Sequence, residues 1–278
     1  MEFKYIDTHA HLNLSAFDED AEAVADVCKG SGVRVINVGT KESTSAKAVE
    51  LAGSHDHLYA IVGLHPIQTT PEYHSEEEIG EGSEPFTSKG EEFNSDFYRE
   101  LTKSEKVVGI GECGFDYFHN DAGTREVQEE AFVAQVEFAN ELNLPLMIHT
   151  RSSKDGELDA YEDVYRVLKD YAKVPGNIHF YAGTYAQAKK FFDIGFTISF
   201  TGVITFAKEY EEVVKNIPLE MIHAETDCPY VAPVPHRGKR CEPWMVQEVY
   251  KKIADIRGEG VERVREQLLA NAGKLYKL

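Results

Sequence analysis

Two histidines separated by a single residue, His9 and His11, directly follow an apolar, β-rich run at residues 3–8. Side chains two positions apart on a strand point to the same face, so a strand over this run would present both imidazoles together. Neutral imidazoles placed side by side are suited to a divalent metal ion. The pair therefore predicts a metal site at the end of the first strand.

Later strand candidates end near four further residues of metal-binding type: Glu112, His149, His179 and Asp227. Six such groups would be costly to bury unpaired, so their convergence indicates a bound cation. They are too many for one tetrahedral zinc with an open position, and they suit two ions about 3.5–4 Å apart. One carboxylate must then bridge the ions, and we expect Glu112 to do so because its strand lies between the two histidine groups.

The remaining candidates divide between the two ions. We assign His9, His11 and Asp227 to the first ion, and His149 and His179 to the second. Asp227 is also placed to act as general base, taking a proton from the attacking water. The set combines nitrogen and oxygen ligands without a thiolate, which fits Mg²⁺, Mn²⁺ or Zn²⁺ and does not choose among them.

Eight short apolar runs rich in β-forming residues alternate with longer helical patterns, one of which predicts a helix over residues 206–215. The predicted strands are residues 3–8, 33–38, 58–63, 107–111, 146–149, 178–181, 196–200 and 221–225. Strand followed by helix, eight times, predicts a (β/α)₈ TIM barrel, in which catalytic groups gather where the strands end. A doubly wound open sheet is the alternative, since periodicity cannot show closure.

The length of 278 residues is compatible with a single domain over residues 1–278. One segment interrupts the pattern: residues 67–92, after the third predicted strand, combine acidic side chains with glycine and proline. Residues 71–100 hold ten acidic and two basic side chains, which accounts for −8 of the formal charge of −19. We expect residues 67–92 to form an inserted acidic loop.

Composition limits the setting in which the protein works. The four cysteines lie far apart without a Cys-x-x-Cys pair, which is typical of a reduced intracellular protein. No apolar run approaches the roughly 18 residues that would span a membrane, and no signal peptide is recognisable. We therefore expect a cytoplasmic or nuclear protein with no membrane association, and nothing in the sequence implies an obligate protein partner.

Six segments carry motifs of a known family: residues 6–12, 63–66, 109–117, 148–151, 225–233 and 237–243. With these motifs the chain resembles the TatD-type metal-dependent deoxyribonucleases of the amidohydrolase superfamily. The resemblance implies a (β/α)₈ barrel, divalent metal and hydrolysis of DNA phosphodiesters, often from an end. It places the metal ligands on the same six residues. The family's Cys-Phe-Thr/Ser-Gly run is replaced here by residues 180–183, Phe-Tyr-Ala-Gly.

Basic residues near the predicted strand ends are candidates for binding substrate. Arg151 follows His149 by two residues and would grip a phosphate or, alternatively, form an ion pair with a carboxylate of the site. The densest basic cluster consists of Arg237, Lys239 and Arg240, in the loop after the eighth strand. Catalytic loops carry substrate groups, so we expect this cluster to contact phosphate.

Three aromatic residues and one acid complete the predicted site. His65, at the end of the third strand, would contact substrate or serve as a structural histidine before a proline. Glu225 lies deeper than Asp227, and we expect it to support the metal ligands from behind. Tyr117 and Tyr230 are candidates for stacking on bases.

These observations predict a metal-dependent deoxyribonuclease that acts on single-stranded or frayed DNA from a 3′ end. The alternative is an amidohydrolase that cleaves a small ester, amide or lactone, since an activated water also attacks carbonyl carbon. The net charge of −19 repels nucleic acid at long range and favours this alternative. A third hypothesis, a metal-free barrel that only binds a partner, conflicts with the complete ligand set.

Overall fold

A computed structural model of the chain describes residues 3–71, 73–74, 86–87, 90–118 and 122–278. Ten strands lie within these residues: β1 (Tyr5–Ala10), β2 (Val33–Val38), β3 (Leu58–Val62), β4 (Tyr73–His74), β5 (Phe86–Thr87), β6 (Val107–Asp116), β7 (Leu146–Arg151), β8 (Gly176–Ile178), β9 (Phe196–Phe200) and β10 (Ile222–Ala224). Eight of them form one sheet in the order β1-β2-β3-β6-β7-β8-β9-β10. All neighbours in this sheet are parallel.

The sheet closes on itself between its first and last strands. Ala10 forms a parallel bridge with Cys228, and the backbone N–H of Asp227 donates to the carbonyl oxygen of His9 at 2.9 Å. A second bond joins the N–H of His11 to the carbonyl of Cys228 at 3.0 Å. The structure is therefore a (β/α)₈ TIM barrel, as the strand–helix alternation predicted.

Helices follow the barrel strands and cover their outer face. The described residues form α1 (Ala21–Gly30), α2 (Glu42–Ser54), α3 (Ser95–Leu101), α4 (Arg125–Leu142), α5 (Ala160–Tyr171), α6 (Tyr185–Asp193), α7 (Glu211–Asn216), α8 (Val246–Arg257) and α9 (Val261–Tyr276). In α5, for example, Ala160, Val164, Val167 and Leu168 are buried on one face, the spacing expected of an amphipathic helix. None of these helices is long and apolar enough to cross a bilayer.

The end of the barrel opposite the strand C-termini is filled by α9. Leu275 and Tyr276 of this helix pack with Ile6, Ile61 and Met147 from the strands in one buried apolar cluster. Burial of such side chains contributes roughly 1.5–3 kcal/mol each. The barrel is thereby plugged at its base, which leaves the C-terminal ends of the strands as the mouth where side chains can meet a ligand.

Two strands and one helix differ from their predicted bounds in ways that matter for the site. The predicted end of β6 at residue 111 was wrong, because the strand continues beside β7 and Asp116 pairs with Arg151. β7 likewise extends to Arg151. The helix predicted over residues 206–215 begins at Glu211, which leaves Phe206 in the loop after β9.

Most of the predicted acidic loop, residues 67–92, lies outside the described residues. Its described parts include the two-residue antiparallel pairing of β4 with β5. The backbone N–H of Glu91 donates to the carbonyl of Gln68 at 2.7 Å, which ties the two ends of the segment together beside the barrel. This geometry is compatible with an insertion that leaves and rejoins the barrel at one place.

Candidate metal centre

The barrel mouth brings the six predicted metal-binding side chains together. The first group contains His9 in β1, His11 directly after it, and Asp227 in the loop after β10. The Nε2 atoms of His9 and His11 lie 3.1 Å apart. Asp227 Oδ1 lies 3.3 Å from Nε2 of His11 and 3.7 Å from Nε2 of His9.

Glu112 lies between this group and the other two histidines. Its Oε1 atom is 2.7 Å from both His149 Nδ1 and His179 Nε2. Its Oε2 atom faces the first group, 3.3 Å from His9 Nε2. The two oxygens of this carboxylate therefore face different imidazoles, so Glu112 lies where it can contact a cation on either side.

Hydrogen bonds behind the histidines determine which ring nitrogen faces the centre. Nδ1 of His11 donates to the carbonyl oxygen of Val38 at 2.8 Å, and Nε2 of His149 donates to Asp116 Oδ2 at 2.9 Å. Each ring therefore turns a nitrogen lone pair towards the centre, where a proton or a metal ion must bind it. The donor set fits a divalent cation, because lone pairs and carboxylates converge on one buried space.

Asp116 is a functional residue that the sequence analysis missed. It is buried, and its carboxylate holds the His149 ring in place. The signal was present in the alternation of β6, since residues 112, 114 and 116 share one face of a strand. Because the predicted strand ended at residue 111, this alternation was not followed to Asp116, and no direction was predicted for its side chain.

Glu225 lies behind His179, where the sequence analysis expected a supporting acid. Its Oε1 atom is 3.5 Å from His179 Nδ1 and accepts the backbone N–H of Phe180 at 2.6 Å. Its Oε2 atom accepts the hydroxyl of Ser199 at 2.7 Å. A fully buried carboxylate is stabilised by such bonds, and its charge lies beside the His179 ring without a hydrogen bond to Nδ1.

Opposing effects set the charges of the centre. Burial raises the pKa of Glu112, but the surrounding imidazoles of His179, His65 and His9 outweigh it and hold that pKa well below its ordinary value. Burial lowers the pKa of His179, but Glu112 beside it raises that pKa well above the usual range. A metal ion must therefore displace a proton from this pair, which makes metal binding depend on pH.

Comparisons with known proteins agree with this geometry. A family model described as "TatD related DNase" matches residues 6–277 of the chain. The chain belongs to the TatD family. It is 36% identical to the "Uncharacterized metal-dependent hydrolase YabD" of Bacillus subtilis (strain 168) over 277 residues, which cover 98% of both proteins. We therefore describe it as a metal-dependent hydrolase of the TatD family.

Two further TatD relatives are informative. The chain is 30% identical over 283 residues to a Pantoea ananatis (strain LMG 20103) protein named "3'-5' ssDNA/RNA exonuclease TatD", covering 98% of this chain and 99% of that protein. The crystal structure of YJJV, a TatD homologue from Escherichia coli K12, superimposes with a TM-score of 0.81 at 25% identity over 100% of each chain. The barrel and its order of strands are therefore those of TatD proteins.

His65 adjoins the centre of this TatD protein, and its tautomer is fixed. Its Nδ1 atom accepts the backbone N–H of Ile67 at 3.1 Å, so its proton is on Nε2. Nε2 lies 3.3 Å from Glu112 Oε1 and 3.2 Å from His149 Nδ1. Burial lowers the pKa of His65 to about 4, which keeps the ring neutral and makes it a hydrogen-bond donor at neutral pH.

The basic residues expected to bind substrate have different surroundings. Arg151 is exposed, and its guanidinium carbon lies 3.8 Å from the ring centroid of Phe118. The alternative ion pair between Arg151 and a site carboxylate is not formed in the part of the chain that the structure describes. Arg237 and Lys239 are also exposed, and Arg237 donates to the carbonyl of Ala232 at 2.9 Å.

Two expectations about substrate contacts are corrected by the structure. Arg240 pairs with Asp20 through two bonds of 2.9 and 2.6 Å and with Glu242 at 3.2 Å, so its charge is already neutralised within the protein. Tyr117 is buried and donates its hydroxyl to Asp163 at 2.8 Å, so it cannot stack on a base. Tyr230 is half-buried after Asp227, and its stacking role stays a prediction.

Proposed function

We propose that this TatD protein is a deoxyribonuclease that hydrolyses DNA phosphodiester bonds with two divalent cations, Mg²⁺, Mn²⁺ or Zn²⁺. It acts from a 3′ end on single-stranded or frayed DNA. The observation that carries the proposal is the position of Glu112, whose Oε1 faces His149 and His179 while its Oε2 faces His9. The name of the Pantoea ananatis relative supports the choice of a nucleic-acid substrate.

The residues around the centre have distinct roles in this proposal. His9, His11 and Asp227 would hold one cation, His149 and His179 would hold the other, and Glu112 would contribute a ligand to both. Bound there, divalent cations acidify water to near neutral pH and polarise a phosphoryl oxygen. The remaining steps, orientation of the substrate and transfer of a proton, are assigned to side chains of the protein.

Asp227 is the proposed general base. Burial raises its pKa, but the hydrogen bond with His11 and the nearby His9 outweigh this effect and hold that pKa below its usual value. The carboxylate is therefore ionised at neutral pH and able to accept a proton from the attacking water. Its side chain is 13% exposed, against 4% for Glu112, so it is the carboxylate within reach of incoming water.

His65 and the exposed cations are proposed to receive the phosphate. The Nε2–H of neutral His65 points at the centre and would donate to a phosphoryl oxygen without transferring its proton. Arg151, Arg237 and Lys239 supply positive charge at the mouth of a protein whose net charge is −19. Their charge would offset the long-range repulsion between the acidic protein and DNA.

The alternative substrate is a small ester, amide or lactone, which the net charge of −19 favours. The same activated water would attack its carbonyl carbon, and no phosphate contact would be needed. Arg151 and Arg237 form no ion pair with another described residue, and these cations at the mouth favour the nuclease because a neutral ester gives them no partner. Turnover of lactones or amides by protein that leaves oligonucleotides intact would establish the alternative.

The proposal is tested with metal-reconstituted protein and 5′-labelled oligonucleotides whose 3′ ends are free or blocked. We expect Mg²⁺ or Mn²⁺ to support stepwise shortening of single strands with a free 3′ end, and EDTA to stop it. Blocking the 3′ end should suppress cleavage. Intact oligonucleotides under every metal condition would refute the nuclease proposal, and equal cleavage of blocked strands would refute the 3′-end polarity.

A further inference from the structure

An exposed aromatic ring with a cation on it lies in the loops of the barrel mouth. Phe206 is 44% exposed, and the guanidinium carbon of Arg237 lies 4.2 Å from its ring centroid. Among the phenylalanines whose exposure the structure describes, it is the one exposed. The other exposed large hydrophobic side chains among the described residues, except Val234, belong to the outer helices. Isolated exposed hydrophobic side chains are normal on such helices.

The two loops that carry this pair are joined to each other and to the metal centre. Phe206 follows the turn after β9, and the hydroxyl oxygen of Thr205 accepts the backbone N–H of Val234 at 2.9 Å. Arg237 is held by its bond to the carbonyl of Ala232. The loop that contains Ala232 and Val234 begins with Asp227, so the ring and the proposed general base are parts of one connected structure.

The charge of Arg237 has different surroundings from that of the paired arginines on the outer helices. On the outer helices, Arg99 pairs with Glu141 and Arg166 pairs with Glu129, each through two hydrogen bonds. Arg237 forms no ion pair within the described ranges and rests on an aromatic face instead. A flat apolar surface next to an unneutralised guanidinium is suited to a nucleotide, whose base stacks and whose phosphate pairs.

We propose that Phe206 and Arg237 form a nucleotide subsite for the substrate strand. An unpaired base stacks on the exposed part of the Phe206 ring, and the adjoining phosphate contacts the Arg237 guanidinium. A base within a duplex is already stacked and paired, so this subsite selects single-stranded or frayed substrate. The inference rests on the proposed nuclease function and deepens it by assigning the residues that recognise a base.

The test combines Phe206→Ala and Phe206→Trp with oligonucleotides that carry one abasic nucleotide, moved stepwise along the strand. Base–aromatic stacking predicts that Phe206→Ala lowers kcat/KM on an ordinary single strand by about 5- to 150-fold. Phe206→Trp should restore the rate. When the abasic nucleotide occupies one particular position, kcat/KM of the wild-type protein should fall by the same factor. At that position kcat/KM of Phe206→Ala should fall no further, because the base and the ring act as a pair.

Tyr171→Ala is the matched control, since Tyr171 is also an exposed aromatic residue but ends α5, away from the barrel mouth. It should cleave like wild type, and thermal melting should show every variant folded. Equal cleavage by Phe206→Ala and wild type would overturn the subsite while leaving the nuclease function intact. The subsite would also be overturned if, at every abasic position, the loss of kcat/KM caused by Phe206→Ala added to the loss caused by the missing base. Absence of DNA cleavage by wild-type protein would overturn the proposed function, and this inference with it.

Discussion

The two carboxylates of the centre have different surroundings, and these determine their proposed roles. Glu112 is enclosed by imidazoles on both sides, whereas Asp227 contacts histidines through one oxygen and is more exposed. A shared ligand must be enclosed, and a general base must meet the water that it deprotonates. The geometry therefore favours Glu112 as the bridge and Asp227 as the base.

Replacing Asp227 tests that division of roles. Asp227→Asn keeps the shape of the side chain but removes the charge that accepts a proton, so we expect DNA cleavage to fall at least about 10²- to 10⁴-fold. The melting temperature of metal-free protein should change little. Rates are measured on labelled single strands at saturating Mn²⁺. A variant that cleaves like wild type would exclude Asp227 as the base.

Asp116 provides a second test at this scale, through the orientation of His149. Asp116→Ala removes the acceptor that holds His149 Nε2, and loss of such a partner typically reduces metal affinity or activity about 10- to 100-fold. Titration with Mn²⁺, followed by calorimetry, should show the weaker affinity. Asp163→Ala is the control, because it removes a nearby partly buried carboxylate that contacts Tyr117 instead. Unchanged Mn²⁺ affinity in Asp116→Ala would contradict the assigned contact.

His223, fully buried on β10, makes stability depend on pH. Burial lowers its pKa to about 3, whereas the unfolded chain binds a proton there near pH 6.5. Between these values only the unfolded state gains the proton, so stability falls as pH falls, by about 1.4 kcal/mol per unit. Urea unfolding at pH 7 and pH 5 should show that wild type loses about 2 kcal/mol more than His223→Gln. Equal losses of unfolding free energy in wild type and His223→Gln would contradict the low pKa of His223.

The residue types were sufficient to predict the chemistry, but not every contact around it. Histidines and carboxylates at strand ends are recognisable in sequence because a barrel gathers those ends, so the six ligand candidates could be found. The ion pair of Arg240 could not be predicted, because its partner Asp20 lies 220 residues away in the chain. Such a pairing depends on how the last loop packs against the first helix, which local patterns do not reveal.

At the scale of elements, β6 contributes most to the site. Gly114 adopts a positive φ of 143°, and a Cβ there would collide with the carbonyl oxygen of His149 in β7. The strand can therefore approach β7 closely only because this residue is glycine. That approach brings Glu112 and Asp116 against the two sides of the His149 ring.

Gly114→Ala should separate these strands. We expect the free energy of unfolding to fall by about 2 kcal/mol or more, and Mn²⁺ affinity to fall with it. The control is Gly156→Ala, which also has a positive φ but meets no atom within 4 Å of its Cβ. Urea unfolding compares the two variants. If Gly114→Ala loses no more unfolding free energy than Gly156→Ala, the close approach of β6 to β7 does not contribute to stability.

Element bounds could be predicted where local pattern and tertiary context agree. β2 and β9 have their predicted bounds, because each is a short apolar run between clear breaks. β6 was predicted too short, because its glycines indicate a turn in isolation but permit close strand packing in the barrel. The helix predicted from residue 206 begins later, because a separate turn at Lys208–Tyr210 precedes it, and Thr205 before this turn bonds to the loop after β10.

At the scale of the whole molecule, the barrel and the charge distribution work together. Bonds between the β1 end and the loop after β10 join the two ends of the sheet, and we propose that residues 1–278 form one domain. The net charge of −19 would repel DNA from every side if it were spread evenly, but Arg151 and Arg237 lie at the mouth without an ion pair to another described residue. Composition revealed the total charge, whereas only the fold reveals where the free cations lie.

The most direct test of two cations at the mouth is anomalous diffraction from crystals soaked in Mn²⁺. We expect two anomalous peaks about 3.5–4 Å apart, one on each side of the Glu112 carboxylate. One should lie beside His9, His11 and Asp227, and the other beside His149 and His179. A map without peaks among these side chains, or with manganese bound only elsewhere, would contradict the account.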